Sequence, residues 1–286
     1  MQSASNWALQ PVVDMSPDDF NTWCALLETR TGVVISAQRR AFLQTNLSAR
    51  MRELGVADYA SYYQQVTDGP RGAVEWSHLL DRLTVQETRF FRHVPSFEAL
   101  TAYLGRRLQK TLSKPLELWS VGCASGEEAY SLAMCAADAL QESGSPTHFA
   151  VTGTDISAAA LQRARCGAYS DRRVAGLDPK WRQRYFTEQA DGHFQVVQSL
   201  MQRTCFARLN VLELGDAPMT GVDVIFCQNL LIYFRRWRRR DILNHLVSCL
   251  APGGLLVIGV GEVSAWQHPE LVALDDERVL AFTRKG

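Results

Sequence analysis

From Ser16 to Leu112 the apolar positions recur at the three-and-four spacing of helices, interrupted only by short polar stretches. "SPDDF" at 16–20 predicts a helix start, with Ser16 as N-cap, proline at the first helical position and acids in the first turn. Helical patterns follow over 37–54, 58–66, 73–83 and 94–112, and "SKP" at 113–115 reads as a boundary. Beyond it the period changes. Short apolar runs at 116–123, 148–156, 205–213, 221–229 and 253–261 predict buried strands. Helices are expected after the first run to about Leu140, over 157–169, and over 235–254, where Pro-Gly-Gly would close the helix. This alternation predicts an α/β domain with a doubly wound, Rossmann-like parallel sheet covered on both faces. A small all-α domain precedes it, so the expected division is 1–112 and 113–286. Residues 170–204 break the pattern: "DPKWRQRYF" reads as helix, and "GHFQVVQSLMQR" as a hairpin or small β subdomain inserted around 187–204.

The first strand runs into "SVGCASGEEAYSLA", a glycine turn at the carboxyl edge of the sheet, where open α/β sheets bind ligands. Ala129, Leu132, Ala133, Ala136, Ala137 and Leu140 then form one apolar helix face. Ser125 and Glu128 have capping-box spacing, so Glu128 can be read as a cap or as an acid facing a ligand. Asp155, ending the second strand in "TGTDI", suits ribose hydroxyls; its competing reading is to cap the next helix, for which Ser157 serves equally well. Charge separates the ligand classes. A pyrophosphate against Glu127 and Glu128 would meet like-charge repulsion of about 1 kcal/mol in water and several times that when desolvated. A phosphate-free nucleoside with positive charge is favoured, which points to S-adenosyl-L-methionine, leaving S-adenosyl-L-homocysteine as product.

Composition narrows the partners. Thirty basic and 30 acidic residues give a formal net charge of zero, so nothing global favours nucleic acid or an anionic membrane. The run "RRWRRR" at 235–240 reads first as a solvated helix face, with nucleic-acid contact or contact with an acidic helix as alternatives. No signal peptide is expected at the start, and the apolar run "GGLLVIGVG" is too short to span a bilayer. Seven cysteines are scattered singly with no metal-ligand spacing, which fits thiols in a reducing cytoplasm and predicts no metal site.

Two further stretches carry chemistry. "DVIFCQNLLIYF" at 223–234 places Asn229 and Tyr233 just past a strand end. "LTVQETRFFRH" at 83–93 breaks the helical pattern with Phe90, Phe91 and Arg92, which fit either a domain interface or a site. Neither a catalytic-cysteine motif nor the Asp/Asn-Pro-Pro-Tyr of base amino-methylation is present.

The motifs "TVQETRFFR", "GCASGEEAYSLA", "TGTDI" and "CQNLLIYF", in that order, resemble those of the chemotaxis receptor methyltransferases, the CheR family. "RTGVVISAQRRAFLQTNLSARMRELG" is similar to that family's small helical domain, and the resemblance runs from about Ser16 to Ala281. It implies a class I methyltransferase-like fold and a protein-glutamate O-methyltransferase acting on the cytoplasmic helical bundle of a chemoreceptor. It also implies a cytoplasmic, monomeric protein without membrane insertion or a nucleic-acid partner. By the resemblance, Gln86, Thr88 and Arg92 would lie over the cofactor, with Gly122 in the turn and Glu128 at the methionine or sugar end. Asp155 would hold the ribose, Asn210 and Val211 would line the adenine pocket, and Gln228 and Asn229 would contact the cofactor. Tyr233 would sit with Arg92 near the transferred methyl as the catalytic pair. Gln86, Ala129 and Gln228 depart from the family's usual asparagine, proline and arginine. The segment between "RYF" and "CFARLN" is slightly shorter than in members that grip a receptor's C-terminal peptide, so that tether is not carried over. The competing functions are a nucleic-acid methyltransferase and a non-catalytic S-adenosylmethionine-binding signalling module.

Overall fold

Ser16 and Asp19 start the first helix reciprocally: the Ser16 hydroxyl accepts from the Asp19 N–H at 3.0 Å, and the Asp19 carboxylate accepts from the Ser16 N–H at 3.2 Å. The computed structural model describes residues 14–109, 114–216 and 219–286. The chain divides into two units, with the boundary between Val85 and Gln86. In the first, α1 (Pro17–Thr31), α2 (Arg40–Leu54), α3 (Tyr59–Thr67) and α4 (Gly69–Leu83) bury Trp23, Leu27, Leu43, Leu47, Tyr62 and Leu79. Left-handed Gly32 and Gly55 end α1 and α2. Inside this unit, buried Glu75 accepts from Arg50 at 2.8 and 2.7 Å and from the Tyr62 hydroxyl at 2.7 Å.

The second unit begins with a loop and α5 (Val94–Leu108), followed by β1 (Leu116–Val121), α6 (Glu127–Ser143), β2 (Phe149–Asp155) and α7 (Ala158–Cys166). Next come β3 (Ala168–Ser170), α8 (Asp171–Val174), α9 (Pro179–Tyr185), β4 (Phe186–Glu188), β5 (His193–Val196) and α10 (Gln198–Met201). The remainder is β6 (Thr204–Arg208), β7 (Val222–Cys227), α11 (Arg236–Cys249), β8 (Leu250–Ile258), β9 (Leu271–Ala273) and β10 (Leu280–Arg284). The main sheet has seven strands in the order β6-β2-β1-β7-β8-β10-β9. It is parallel from β6 to β8, with β10 antiparallel to both of its neighbours. Leu118 of β1 lies between Val151 of β2 and Val224 of β7, so β1 and β7 flank the point where the strand order reverses.

Three expectations need correcting. The helix read over 94–112 does not group with the N-terminal helices: Phe97, Leu100 and Leu104 of α5 share one core with Leu118, Leu132, Val224 and Leu255. The Tyr103 hydroxyl donates to the carbonyls of Asp223 (3.2 Å) and Gly253 (3.1 Å), and Arg107 pairs with Asp223 at 3.0 Å. The division therefore falls at 85/86 and not at 112/113; residues 110–113 lie outside those described. Helical periodicity shows that a face is buried but not which partner covers it.

The small β subdomain exists as the antiparallel sheet β3-β5-β4, but it spans 168–196, earlier than the 187–204 read from sequence. Its first strand is three residues long, too short to show alternation. Finally, α11 stops at Cys249 without reaching Pro-Gly-Gly. Those residues form an irregularity inside β8, where the register moves from Val222↔Leu250 to Val224↔Leu255 and Gly253 takes φ 74°.

Candidate active site

The turn after β1 is built from backbone bonds it makes to itself and to β2. The N–H groups of Gly122 and Cys123 both donate to the Thr154 carbonyl, at 2.8 and 2.9 Å. The Ala124 N–H donates to Asp155 Oδ2 at 2.9 Å, and the Gly126 N–H to the Cys123 carbonyl at 2.9 Å. Gly126 has φ 95°, and a Cβ there would stand 2.8 Å from the Ala164 Cβ, so this position requires glycine. Four of the five amides from Gly122 to Gly126 are thus spent, the exception being that of Ser125. A phosphate would find no nest here.

The two glutamates have separate fates. Glu127 is fully buried, accepts from the Ser125 hydroxyl at 2.8 Å and forms an ion pair with Arg173 of α8. Arg173 also donates to the Thr88 carbonyl at 3.3 Å, joining the turn to the 86–92 loop. Glu128 does not complete a capping box, because the N-cap of α6 is Gly126 with no side-chain cap bond. Its Oε1 accepts from the Ser120 hydroxyl at 2.7 Å instead, which aims the half-buried carboxyl along the end of β1. Burial pushes the Glu128 carboxyl up to about 7; the Ser120 bond opposes this, Glu262 adds to it, and Arg92 lowers it.

Asp155 orders the backbone around it, and the N-cap of α7 is Ser157. Asp155 Oδ1 accepts from the Ser157 N–H at 2.8 Å, while the Ser157 hydroxyl caps α7 by accepting from the Ala160 N–H at 3.1 Å. Gln86 donates to the same Ser157 hydroxyl at 3.0 Å and accepts from Arg163. After β6, the Leu209 N–H donates to the Asp155 carbonyl at 3.0 Å, Asn210 Oδ1 accepts from the Leu212 N–H at 3.2 Å, and Val211 opens a 3-10 turn to Asp216. Gln86, Gly122, Asp155, Asn210 and Val211 are thereby gathered at the ends of β1, β2 and β6.

The 86–92 loop is held down by its aromatics within this unit. Phe90 packs edge-on against Tyr169 and Phe186, and Phe91, at φ 47°, packs on Phe97 and Trp181 while its N–H donates to the Ser131 hydroxyl at 3.1 Å. Thr88 and Arg92 are half-buried, and Arg92 Nη1 donates to the Glu87 carbonyl at 2.8 Å. Past β7, the Gln228 amide is buried and donates to the Ser96 hydroxyl at 2.8 Å, turning toward α5. Asn229 is exposed at φ 58°, a left-handed conformation that asparagine tolerates better than most residues. Tyr233 ends the 3-10 turn Leu231–Tyr233 and is half-buried.

Three contributors escaped the sequence reading. Ser120 is one. Arg239 is another: in place of lying on a solvated face, it donates to the carbonyls of Ile232 (3.4 Å), Phe234 (2.8 Å) and Glu262 (2.6 Å), bracketing Tyr233. Its neighbours do meet solvent: Arg236 and Arg240 are exposed, and Arg238 lies over the Trp237 ring at 4.2 Å. Glu262, buried just past β8, is the third; a lone acid after a strand end, as at Asp155, is the signal that could have found it. Burial pushes its carboxyl up to about 7, with the backbone at Gly259 and Ile232 and the charges of Arg239 and Arg92 opposing. No group of three metal-ligating side chains occurs among the described residues, and burial raises the Cys123 and Cys227 thiols well above their ordinary range.

Comparison with known proteins agrees with this geometry. The family model "CheR methyltransferase, SAM binding domain" matches residues 86–276, and "CheR methyltransferase, all-alpha domain" matches residues 18–84. The chain is 33% identical over 251 residues to the chemotaxis protein methyltransferase of Salmonella typhimurium, covering 87% of this chain and 84% of that protein. It is equally similar to the Escherichia coli protein of that name, at 33% over 251 residues, 87% of this chain and 85% of the other. A chemotaxis protein methyltransferase of Pseudomonas aeruginosa is 31% identical over 249 residues, 85% of this chain and 89% of that one. The cofactor is S-adenosylmethionine, and the site suits it: acids at the ends of β1 and β2, and a turn whose amides are occupied.

Proposed function

The chain belongs to the CheR methyltransferase family, and from that premise we propose that this S-adenosylmethionine-dependent enzyme of chemotaxis methylates glutamate side chains on the cytoplasmic helical bundle of a chemoreceptor. The observation that carries the reading is the family match across both units, residues 18–84 and 86–276. The acceptor chemistry agrees with the site. A glutamate carboxylate has an ordinary pKa of about 4.3 and arrives ionised, so methyl transfer to it calls for no general base. The buried thiols near the turn are raised in pKa and are no rival acceptors.

Bound S-adenosylmethionine supplies the electrophilic methyl group; the protein supplies alignment. Asp155, oriented by the Ala124 and Ser157 amides, accepts from the ribose hydroxyls. Asn210 and Val211 line the adenine, and Glu128 faces the methionine or sugar end. Gly122 at φ 79° keeps the turn low, since a Cβ there would press on the Leu230 side chain at 3.2 Å. Gln86 and Thr88 cover the cofactor, with Asn229 on the opposite wall and Gln228 behind it, its amide held by Ser96. Arg92 steers the incoming carboxylate, and Tyr233 stands at the methyl, held by the Arg239 bracket. Most of the rate enhancement in this scheme is proximity and orientation.

The protein works as a monomer in the cytoplasm, where its target lies; no helix among the described residues is long and apolar enough to cross a membrane. Tritiated S-adenosylmethionine offered with receptor-containing membranes should leave base-labile counts on the receptor. Counts on RNA or DNA, or cofactor binding without transfer to any receptor, would refute the assignment.

A further inference from the structure

Glu262 stands four residues past β8, beside the end of β7, where the Gly259 N–H donates to the Cys227 carbonyl at 3.3 Å. Glu262 is 2% exposed, and neither carboxylate oxygen makes a hydrogen bond of good geometry among the described residues; the backbone of Gly259 and Ile232 lies only near enough to favour its ionised form. The carboxyl folds back so closely on Gly259 that a Cβ there would lie 2.6 Å from Oε2. Its main chain is pinned twice, by its own N–H donating to the Gly259 carbonyl at 3.2 Å and by Arg239 donating to its carbonyl at 2.6 Å. A buried carboxyl group held this firmly without a well-formed hydrogen bond is unfavourable in its ionised form unless something outside the chain completes it. The charged and titratable groups that share its field are Glu128, Cys227, Arg92 and Arg239. Glu128 already accepts a well-formed bond from Ser120, whereas Glu262 has none.

We propose that Glu262 is a second acid of the cofactor site and, with Glu128, supplies the counter-charge for the cationic methionine end of S-adenosylmethionine. The proposal rests on the placement of Glu128 and Arg92 given above. Both carboxyls are held up to about 7 by burial, so below that pH the free protein keeps them largely protonated. A cation that prefers the ionised pair lowers their pKa on binding and sends the proton to the buffer. Affinity should therefore rise with pH below about 7, by up to about tenfold per pH unit for each proton released, and level off above it.

Titration calorimetry of the full chain at pH 6.5, in phosphate and in imidazole buffer, reads proton release directly. The wild type should release protons on binding S-adenosylmethionine. Glu262→Gln should lose most of that release and weaken S-adenosylmethionine by about tenfold or more. S-adenosylhomocysteine, which lacks the sulfonium charge, should weaken less, and the free variant should melt no lower than wild type. Three results would overturn the idea: no proton release by the wild type, full release and affinity in Glu262→Gln, or equal weakening of both ligands with a lowered melting temperature. Should Glu262→Gln not fold, the wild-type affinity from pH 5.5 to 8 decides, and a flat profile refutes the proposal. Glu128→Gln and Asp155→Asn test the underlying site separately: if they lose affinity while Glu262→Gln does not, only this inference fails.

Discussion

Ser120, the fifth residue of β1, donates its hydroxyl to Glu128 Oε1 at 2.7 Å. That bond takes Glu128 away from the helix terminus it was spaced to cap and fixes it against the sheet edge. Its neighbour Glu127 faces the other way, into the protein, where Arg173 neutralises it. Of the two acids, only Glu127 is spent on securing the turn.

Breaking the Glu127–Arg173 pair from the arginine side should be costly, because Glu127 is fully buried. Arg173→Ala should lower stability by roughly 3 kcal/mol, the arginine's partial exposure keeping the loss at the low end for a buried pair. Urea unfolding measures this, and a loss below about 1 kcal/mol would show the pair to be dispensable.

Asp155→Asn keeps the shape of the residue while removing its charge. We expect S-adenosylmethionine to bind about tenfold or more weakly, with the fold retained, since the amide oxygen can still accept one of the two backbone bonds. Calorimetry reads the first effect and circular dichroism the second.

Arg92→Ala and Tyr233→Phe should separate binding from transfer. Methyl transfer to receptor should fall by about a hundredfold in Arg92→Ala, while cofactor affinity changes less. Transfer at the wild-type rate in both variants would remove them from the catalytic step.

Glu128 and Glu262 also make the free protein pH-sensitive. Their folded pKa values, about 7, lie above the ordinary glutamate value, so folding favours their protonated forms. The stability they contribute is fully present below the unfolded value and is lost as pH rises toward about 7. Melting scans of the free protein should show that decline between about pH 5 and 7, and Glu262→Gln should flatten it.

The unit boundary predicts which fragments fold. A chain beginning at Gln86 should unfold cooperatively on its own. One beginning at Ser113 should not, because it lacks Phe97, Leu100 and Leu104 from the shared core and leaves the Asp223 carboxylate without Arg107.

Much of this protein could be read from its residues in order. Helical periodicity located the helices of the first unit, short apolar runs located the five parallel strands, and the acids beside the glycine turn pointed to a cationic nucleoside. Those properties are local: they depend on which side chains are apolar and on charges close together in the chain. What needed the folded molecule was everything decided by competition between distant partners. Ser120 rather than the helix end took Glu128, α5 joined the sheet rather than the N-terminal helices, and Pro-Gly-Gly became an irregularity within a strand because the residues on both sides of it pair with β7. Arg239 bonds three carbonyls from two loops, and the Glu262 carboxyl is buried without a well-formed hydrogen bond, two facts that no spacing along the chain encodes. A side chain's choice among several hydrogen-bond partners is set by their separation in space, and only tertiary packing fixes that distance.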